Sequence, residues 1–372
     1  MPMSPDSNLL TTPLLSAHED AGALLIDFAG WNMPVRYTSD RQEHEAVRTA
    51  VGMFDLSHMA QIFISGAQAA QGLNRCFISP MDKMSVGRAK YSMLTNDEGG
   101  IVDDLIVYRL ADDEYLVVAN ASNREVVVRE VTKRCSEVDP DIDVDDRTRD
   151  RAIIAVQGPH AVEVMKAAGF ADAVDIRYYS ITRAEFEGEE VLVARTGYTG
   201  EDGFEVYLAA DKARRLWDVF LEVGADAGIT RCGLACRDTL RLEAGMPLYG
   251  NELSAELSPA DVGMGRMVKF DHDFVGSQAL SEREARYALI GLRGEGRRAA
   301  RAGSTVLHDG KEVGVVTSGV LSPTLGYPIA LARVTLPAPD VGSQLDIDVR
   351  GKTQPMTVVD TPFYSRPKQP QN

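Results

Sequence analysis

The sequence predicts an α+β protein of two or three domains that ends in a small β-barrel or sandwich. Three observations carry this. The chain has 372 residues, more than one domain of roughly 150 residues holds. Strand-like and helix-like stretches alternate up to about Ala285, in pieces shorter than clean βαβ units give. Beyond Ala285, short apolar runs are divided by Gly, Pro and charged turns, with almost no helical period.

Taken in order, Leu24–Trp31 reads as a strand running into a loop, and Asp40–Ala50 as a helix capped by its Asp. Met53–Met59 leads into a strand over Ala60–Ile64 and a helix from Ala67 to about Cys76. Strands are expected near Lys90–Leu94, Ile101–Leu110 and Tyr115–Ala119, followed by an amphipathic helix over Ser122–Lys133. The acidic stretch Asp139–Asp150 reads as a boundary. After it come a strand over Ala152–Val156, a helix started by Gly158-Pro159, and strands near Ser180–Glu187 and Val191–Ala194. A further helix spans about Lys212–Gly224.

Composition excludes several classes. There are 39 Lys+Arg against 55 Asp+Glu, a formal charge of −16, which argues against nucleic acid and anionic lipid as partners. Four cysteines, Cys76, Cys135, Cys232 and Cys236, are too few for a disulfide scaffold in this length and read as free thiols in a reducing cytoplasm. Cys232 and Cys236 have no further Cys or His close by in sequence to complete a zinc site. No apolar run approaches the roughly 20 residues of a membrane span, and Met1–Leu10 lacks the pattern of a signal or transit peptide. Phosphate-loop, dinucleotide and nucleophile-elbow motifs are absent.

What remains is acidic and glycine-rich. Asp103 and Asp104 interrupt a strand, so strand alternation sends one of them to each face. A carboxylate turned inward is costly without a partner, and facing a cleft its proton affinity becomes a tool. Arg195–Glu205 carries three glycines in seven residues, forcing a tight turn after the apolar Val191–Ala194. Glu205 is either an edge carboxylate in water or one that grips two adjacent N–H donors. Arg237-Asp238 is either a local ion pair or a ligand contact. His58 reads as a satisfied core or turn histidine. Arg297, Arg298 and Arg301 form a basic cluster in an acidic chain.

Asp27–Pro34, Val51–Met59, Tyr91–Leu94, Gly99–Tyr108, Gln157–Pro159, Arg195–Glu205, Gly233–Gly250 and Thr317–Gly326, in this order along nearly the whole chain, resemble the glycine cleavage T-protein family of folate-binding aminomethyltransferases. The resemblance implies a three-domain, ring-like α+β arrangement: a discontinuous first domain (1–50 plus 151–284), a second α+β domain (51–150) and a C-terminal β-barrel (285–372). It implies transfer of the aminomethyl carbon from the lipoyl arm of H-protein to tetrahydrofolate, the acceptor substrate, with no metal and no nucleotide. Asp104 is then the catalytic acid near the folate N10. Glu205 grips the pterin and Arg237 is a second folate contact. Tyr91, Tyr108, Asn120, Tyr198, Tyr249 and Met59 line the pocket. The chain has no flavin fingerprint, unlike the fused oxidases of the wider family, and Gly245–Gly250 lacks the cysteine of the iron–sulfur assembly branch; the alternatives left are a folate-dependent demethylase of a small methylated sulfur or nitrogen compound and a folate-binding protein without turnover.

Overall fold

The structure, a computed structural model, describes residues 9–349 and 351–367. The first eight residues, part of the stretch examined for a signal peptide, lie outside them. Two sheets stack face to face, each backed by helices, and a closed barrel follows. The first, six-stranded sheet runs in the order Ile181–Phe186, Glu189–Ala194, Gly203–Ala209, Arg151–Gln157, Val51–Asp55, Ile229–Arg231. Its pairs are antiparallel except the last, which is parallel. The second, five-stranded sheet runs Ala89–Thr95, Ile101–Arg109, Glu114–Ala119, Ala60–Ser65, Asp143–Asp146, antiparallel throughout.

Strand alternation makes the layers. In Gly203–Ala209, Phe204, Val206 and Leu208 pack against Leu216, Trp217 and Phe220 of the helix Ala213–Val223. In the second sheet, Leu105, Val107 and Val117 pack with Leu73 of the helix Ala69–Cys76 and with Val127 and Val131 of the helix Arg124–Val138. Between the sheets lies a third core that joins Tyr108, Leu116 and Val118 to Ile153, Ala155, Leu192 and Tyr207. A strand buried on both faces has no polar side to mark its orientation.

Several expectations are corrected here. Val51–Asp55, expected to open the second domain, hydrogen-bonds to Arg151–Gln157 in the first sheet, so the changeover falls between Asp55 and Ala60. The acidic stretch expected as a boundary contains an edge strand, Asp143–Asp146, paired with Ala60–Ser65. Residues from Tyr249 to Glu282, assigned with the first domain, instead cover the second sheet: Leu253, Leu257, Val262 and Phe274 pack on Ile78, Met93 and Ile101. The helix Asp40–Thr49 is capped by Ser39, whose Oγ accepts from Gln42 N at 3.2 Å, not by Asp40. Leu24–Trp31 is part of a hairpin, Leu24–Phe28 with Trp31–Arg36. Its two-residue turn places Ala29 at φ 53° and Gly30 at φ 80°, the twist a two-residue hairpin turn needs.

The barrel closes as expected. Its order is Tyr287–Gly294, Pro328–Thr335, Lys311–Leu321, Thr305–His308, Gln344–Asp348, Thr353–Val359, and the last pairs with the first. Among the described residues no helix is long and apolar enough to cross a membrane.

Glu243, at the end of the helix Leu234–Glu243, staples the barrel to the first sheet's helices. Its Oε1 accepts from Thr324 N at 3.0 Å and from the Ser322 hydroxyl. Its Oε2 accepts from Thr324 Oγ1 at 2.7 Å and Arg48 Nη2 at 2.9 Å, with His44 Nε2 at 3.2 Å. Burial works to raise this carboxyl, but His44, Ser322 and Arg48 pull it down to about 2. The ordinary value is 4.5. The depressed carboxyl therefore contributes stability that is complete above that pH and is lost as pH falls towards 2. Glu243→Gln is expected to be less stable at neutral pH, with the gap to the unmodified protein narrowing as pH drops through this window. Denaturant titrations at pH 7, 4 and 3 measure it; a gap independent of pH would exclude Glu243 as the source.

Candidate active site

The site is built at the seam between the sheets, and strand parity sorts the two aspartates. On Ile101–Arg109, Asp103 shares its face with Leu105 and Val107, which enter the helix-backed core. Asp104 shares its face with Ile106 and Tyr108, which enter the layer between the sheets. Asp103 is fully buried and satisfied by the start of the next helical segment: Asn120 N donates at 3.0 Å, Asn120 Nδ2 at 2.8 Å and Asn123 Nδ2 at 2.6 Å. Asp104 accepts from Tyr91 OH at 2.9 Å and Asn120 Nδ2 at 2.9 Å. Burial and the neighbouring Asp104 charge push Asp103 up to about 8. Burial raises Asp104 too, against the bonds from Tyr91 and Asn120.

Glu205 is no edge carboxylate. Its strand is interior to the first sheet, and the residue is 8% exposed on the face turned to the second sheet. All its hydrogen bonds land on Oε2: Thr196 Oγ1 at 2.8 Å, Tyr207 OH at 2.9 Å and Tyr108 OH at 3.3 Å. Among the described residues Oε1 accepts none. Tyr108, from the second sheet, thus meets Glu205, from the first. Burial first, and the Glu205 charge second, hold its phenol well above the ordinary range. Asp104 lies four residues back along the same strand face, about 13 Å at strand rise.

Arg237 is not a local ion pair with Asp238, which pairs with Arg241 at 2.8 Å. Its guanidinium sits over the Tyr198 ring, 4.8 Å from the centroid, and among the described residues its side chain makes no hydrogen bond or ion pair. Burial lowers its proton affinity. Tyr198 donates to Pro247 O, and its phenol is raised by burial and further by the Asp104 charge. Tyr249 donates to Ile101 O at 3.2 Å, and burial with the Asp103 charge pushes it up to about 12. Met59 is half-buried against the inter-sheet core, just before the strand Ala60–Ser65.

The sequence pointed to neither Thr196 nor Tyr207 as partners of Glu205. Tyr207, two residues on, shares its strand face, and parity alone could have found it. Thr196 carried no signal beyond preceding the turn. His58 is buried with Nδ1 unpartnered, contrary to the satisfied histidine expected. Burial and the nearby Arg237 charge, against that of Asp55, push it down to about 4, so it is neutral at ordinary pH.

Two family models cover the chain: the GCVT N-terminal domain over residues 14–272 and the glycine cleavage T-protein C-terminal barrel domain over residues 288–365. The chain belongs to the glycine cleavage T-protein family. The aminomethyltransferase of Cutibacterium acnes is 50% identical, covering 97% of this chain and 100% of that one. That of Bacillus subtilis is 38% identical over 96% of this chain and 100% of its own length. The crystal structure of glycine cleavage system aminomethyltransferase T from Bartonella henselae superposes with a TM-score of 0.89 at 33% identity, covering 96% of this chain and 98% of that one. As a member of the T-protein family, the chain is an aminomethyltransferase, and its mixed fold with a closed barrel is that of the family.

Proposed function

We propose that this T-protein family member takes the aminomethyl group from the lipoyl arm of H-protein and adds its carbon to tetrahydrofolate in the seam between the sheets. The products are 5,10-methylenetetrahydrofolate, ammonia and dihydrolipoyl H-protein. The balance is closed: one C–S and one C–N bond break, two C–N bonds form to the folate nitrogens, and the two N–H protons end on sulfur and ammonia. The reaction is placed in the cytoplasm, which suits four buried free thiols.

The observation that carries this reading is the pairing of two differently prepared carboxylates on one layer. Asp104, implied as an acid by the family resemblance, has raised proton affinity: ionised, it takes a proton from an amine more readily than an ordinary carboxylate does, and it can then return that proton as an acid. Its negative charge also favours a cationic, iminium-like carbon. Glu205 has one oxygen saturated and one that accepts no hydrogen bond among the described residues, suited to the N–H edge of a pterin. Arg237 and Tyr198 stack beside them, and Tyr91, Asn120, Tyr249 and Met59 complete the lining. Little covalent help is needed for such a transfer; positioning and electrostatics supply the rate. The test is ammonia and methylenetetrahydrofolate formation from aminomethyl-loaded H-protein. Folate binding without either product would leave only a folate-binding protein.

Arg297, Arg298 and Arg301 are all exposed, in the loop between the barrel strands Tyr287–Gly294 and Thr305–His308. Arg298 Nη2 donates to Val349 O at 2.9 Å, tying the loop to the barrel. They are proposed to attract an acidic H-protein surface or a polyglutamyl folate tail. Neutralising all three is expected to raise the apparent KM for one of these at low salt, with little change in kcat and convergence at high salt. Superimposable kinetics across a salt series would leave the cluster as a solvated loop.

A further inference from the structure

We propose that Arg48 is a positioning residue for the site, fixing the turn that carries Tyr198 against the helix that carries Arg237. Arg48 lies on the helix Asp40–Thr49, and its side chain is 5% exposed. A guanidinium has five N–H groups in a rigid fork, and here each has an acceptor. Nη1 donates to Thr199 O at 2.7 Å and Glu201 Oε1 at 3.0 Å. Nη2 donates to Glu243 Oε2 at 2.9 Å and Leu240 O at 3.4 Å. Nε donates to Glu243 Oε2 at 3.2 Å. The ring of Tyr364 covers the guanidinium, 4.0 Å from its centroid. One cation therefore joins the turn, through Thr199 and Glu201, to the last turn of the helix Leu234–Glu243.

The other side of the turn is fixed independently. Gln157 Oε1 accepts from Thr199 Oγ1 at 2.9 Å, and Gln157 Nε2 donates to Thr196 O at 3.0 Å. Gly200, at φ +80°, lets the turn press on the helix end, where an added Cβ would meet Ala244 Cβ at 3.0 Å. Tyr198 is thus held between Gln157 on the sheet side and Arg48 on the helix side. Its ring then sits under Arg237, which sprouts from the helix that Arg48 grips at the opposite end. Lysine keeps the charge but presents three donors from a single point, so it cannot serve Glu243, Glu201 and Thr199 O together.

Because the proposal rests on the folate reading above, the test separates the two. In full-length protein, Arg48→Lys is expected to weaken tetrahydrofolate binding about tenfold by calorimetry. KM for tetrahydrofolate should rise in parallel while kcat stays within about threefold. In a Tyr198→Ala background, Arg48→Lys should add little further loss, because both changes act through the same ring. Thr324→Val is the structural control: it removes a donor to Glu243 and the long Arg48 Nε contact at 3.4 Å, but leaves the Arg48 bonds to Thr199 and Glu201 in place, and should lower thermal stability with tetrahydrofolate affinity unchanged. Unchanged affinity in Arg48→Lys, with Tyr198→Ala weakened, overturns the positioning role. So do additive losses in the double variant, or an equal loss in Thr324→Val. Unchanged affinity in both Arg48→Lys and Tyr198→Ala overturns the folate site itself, and the positioning role with it.

Discussion

Asp104→Asn is expected to lower turnover about 100-fold or more, the size typical of losing a positioned proton-transfer group. Folate binding should fall much less. Asparagine keeps an acceptor for only one of Tyr91 and Asn120, which donate to different oxygens of Asp104, and it can neither hold a proton at the same place nor offer a negative charge to a cationic carbon. The pH profile gives a second reading. Burial raises Asp104, so its ionised fraction grows only as pH climbs past the ordinary carboxylate range. Turnover of the unmodified enzyme should rise with pH through that limb, and the limb should be missing in the variant. Asp103→Asn acts on the opposite face, where the carboxylate receives three N–H bonds inside the helix-backed core. Its expected effect is on stability. Near-normal turnover in Asp104→Asn, with collapse in Asp103→Asn, would reverse the two roles.

Glu205→Ala should weaken tetrahydrofolate binding about 10- to 100-fold, from the roughly 1.5–3 kcal/mol typical of a hydrogen bond to a charged partner. The loss belongs to Oε1, since Oε2 is already committed to Thr196, Tyr207 and Tyr108. Glu205→Gln is the sharper variant: it fills the same volume, but its amide nitrogen presents donors where the ligand edge also donates. It should bind as weakly as the alanine variant while folding better. Calorimetry showing full affinity in both would remove Glu205 from the site.

Much of this was legible in the residues, and the gaps have physical causes. Alternation located the strands and put Asp103 and Asp104 on opposite faces. It did not say which face was which, because apolar residues flank both: Leu105 and Val107 on one, Ile106 and Tyr108 on the other. The turn at Arg195–Glu205 was visible from its glycines. That Glu205 occupies an interior strand was not, since strand order depends on partners about 50 residues away in Arg151–Gln157. The same blindness misplaced Val51–Asp55, whose partner lies about 100 residues on. The strand Asp143–Asp146 escaped because four residues with three aspartates resemble a solvated linker, yet an edge strand needs only backbone pairing. The roles of Glu205 and Arg237 came from the family resemblance; pattern alone left each with a bland alternative.

The wide spacing of the first sheet's strands also governs when the site comes into being during synthesis. The second sheet is drawn from one contiguous stretch, Ala60–Asp146, and can pair as it leaves the ribosome. Val51–Asp55 is made before it, yet must wait with unpaired edges until Arg151–Gln157 emerges. Glu205 and Arg237 arrive later still. Contacts of such high sequence separation form slowly, because loop closure precedes their reward. Asp104 can thus be in place on a folded unit well before its counterpart across the seam exists. Until the strands of the first sheet are made, the inner face of the second sheet has nothing to cover it, the kind of transiently exposed apolar surface that chaperones hold.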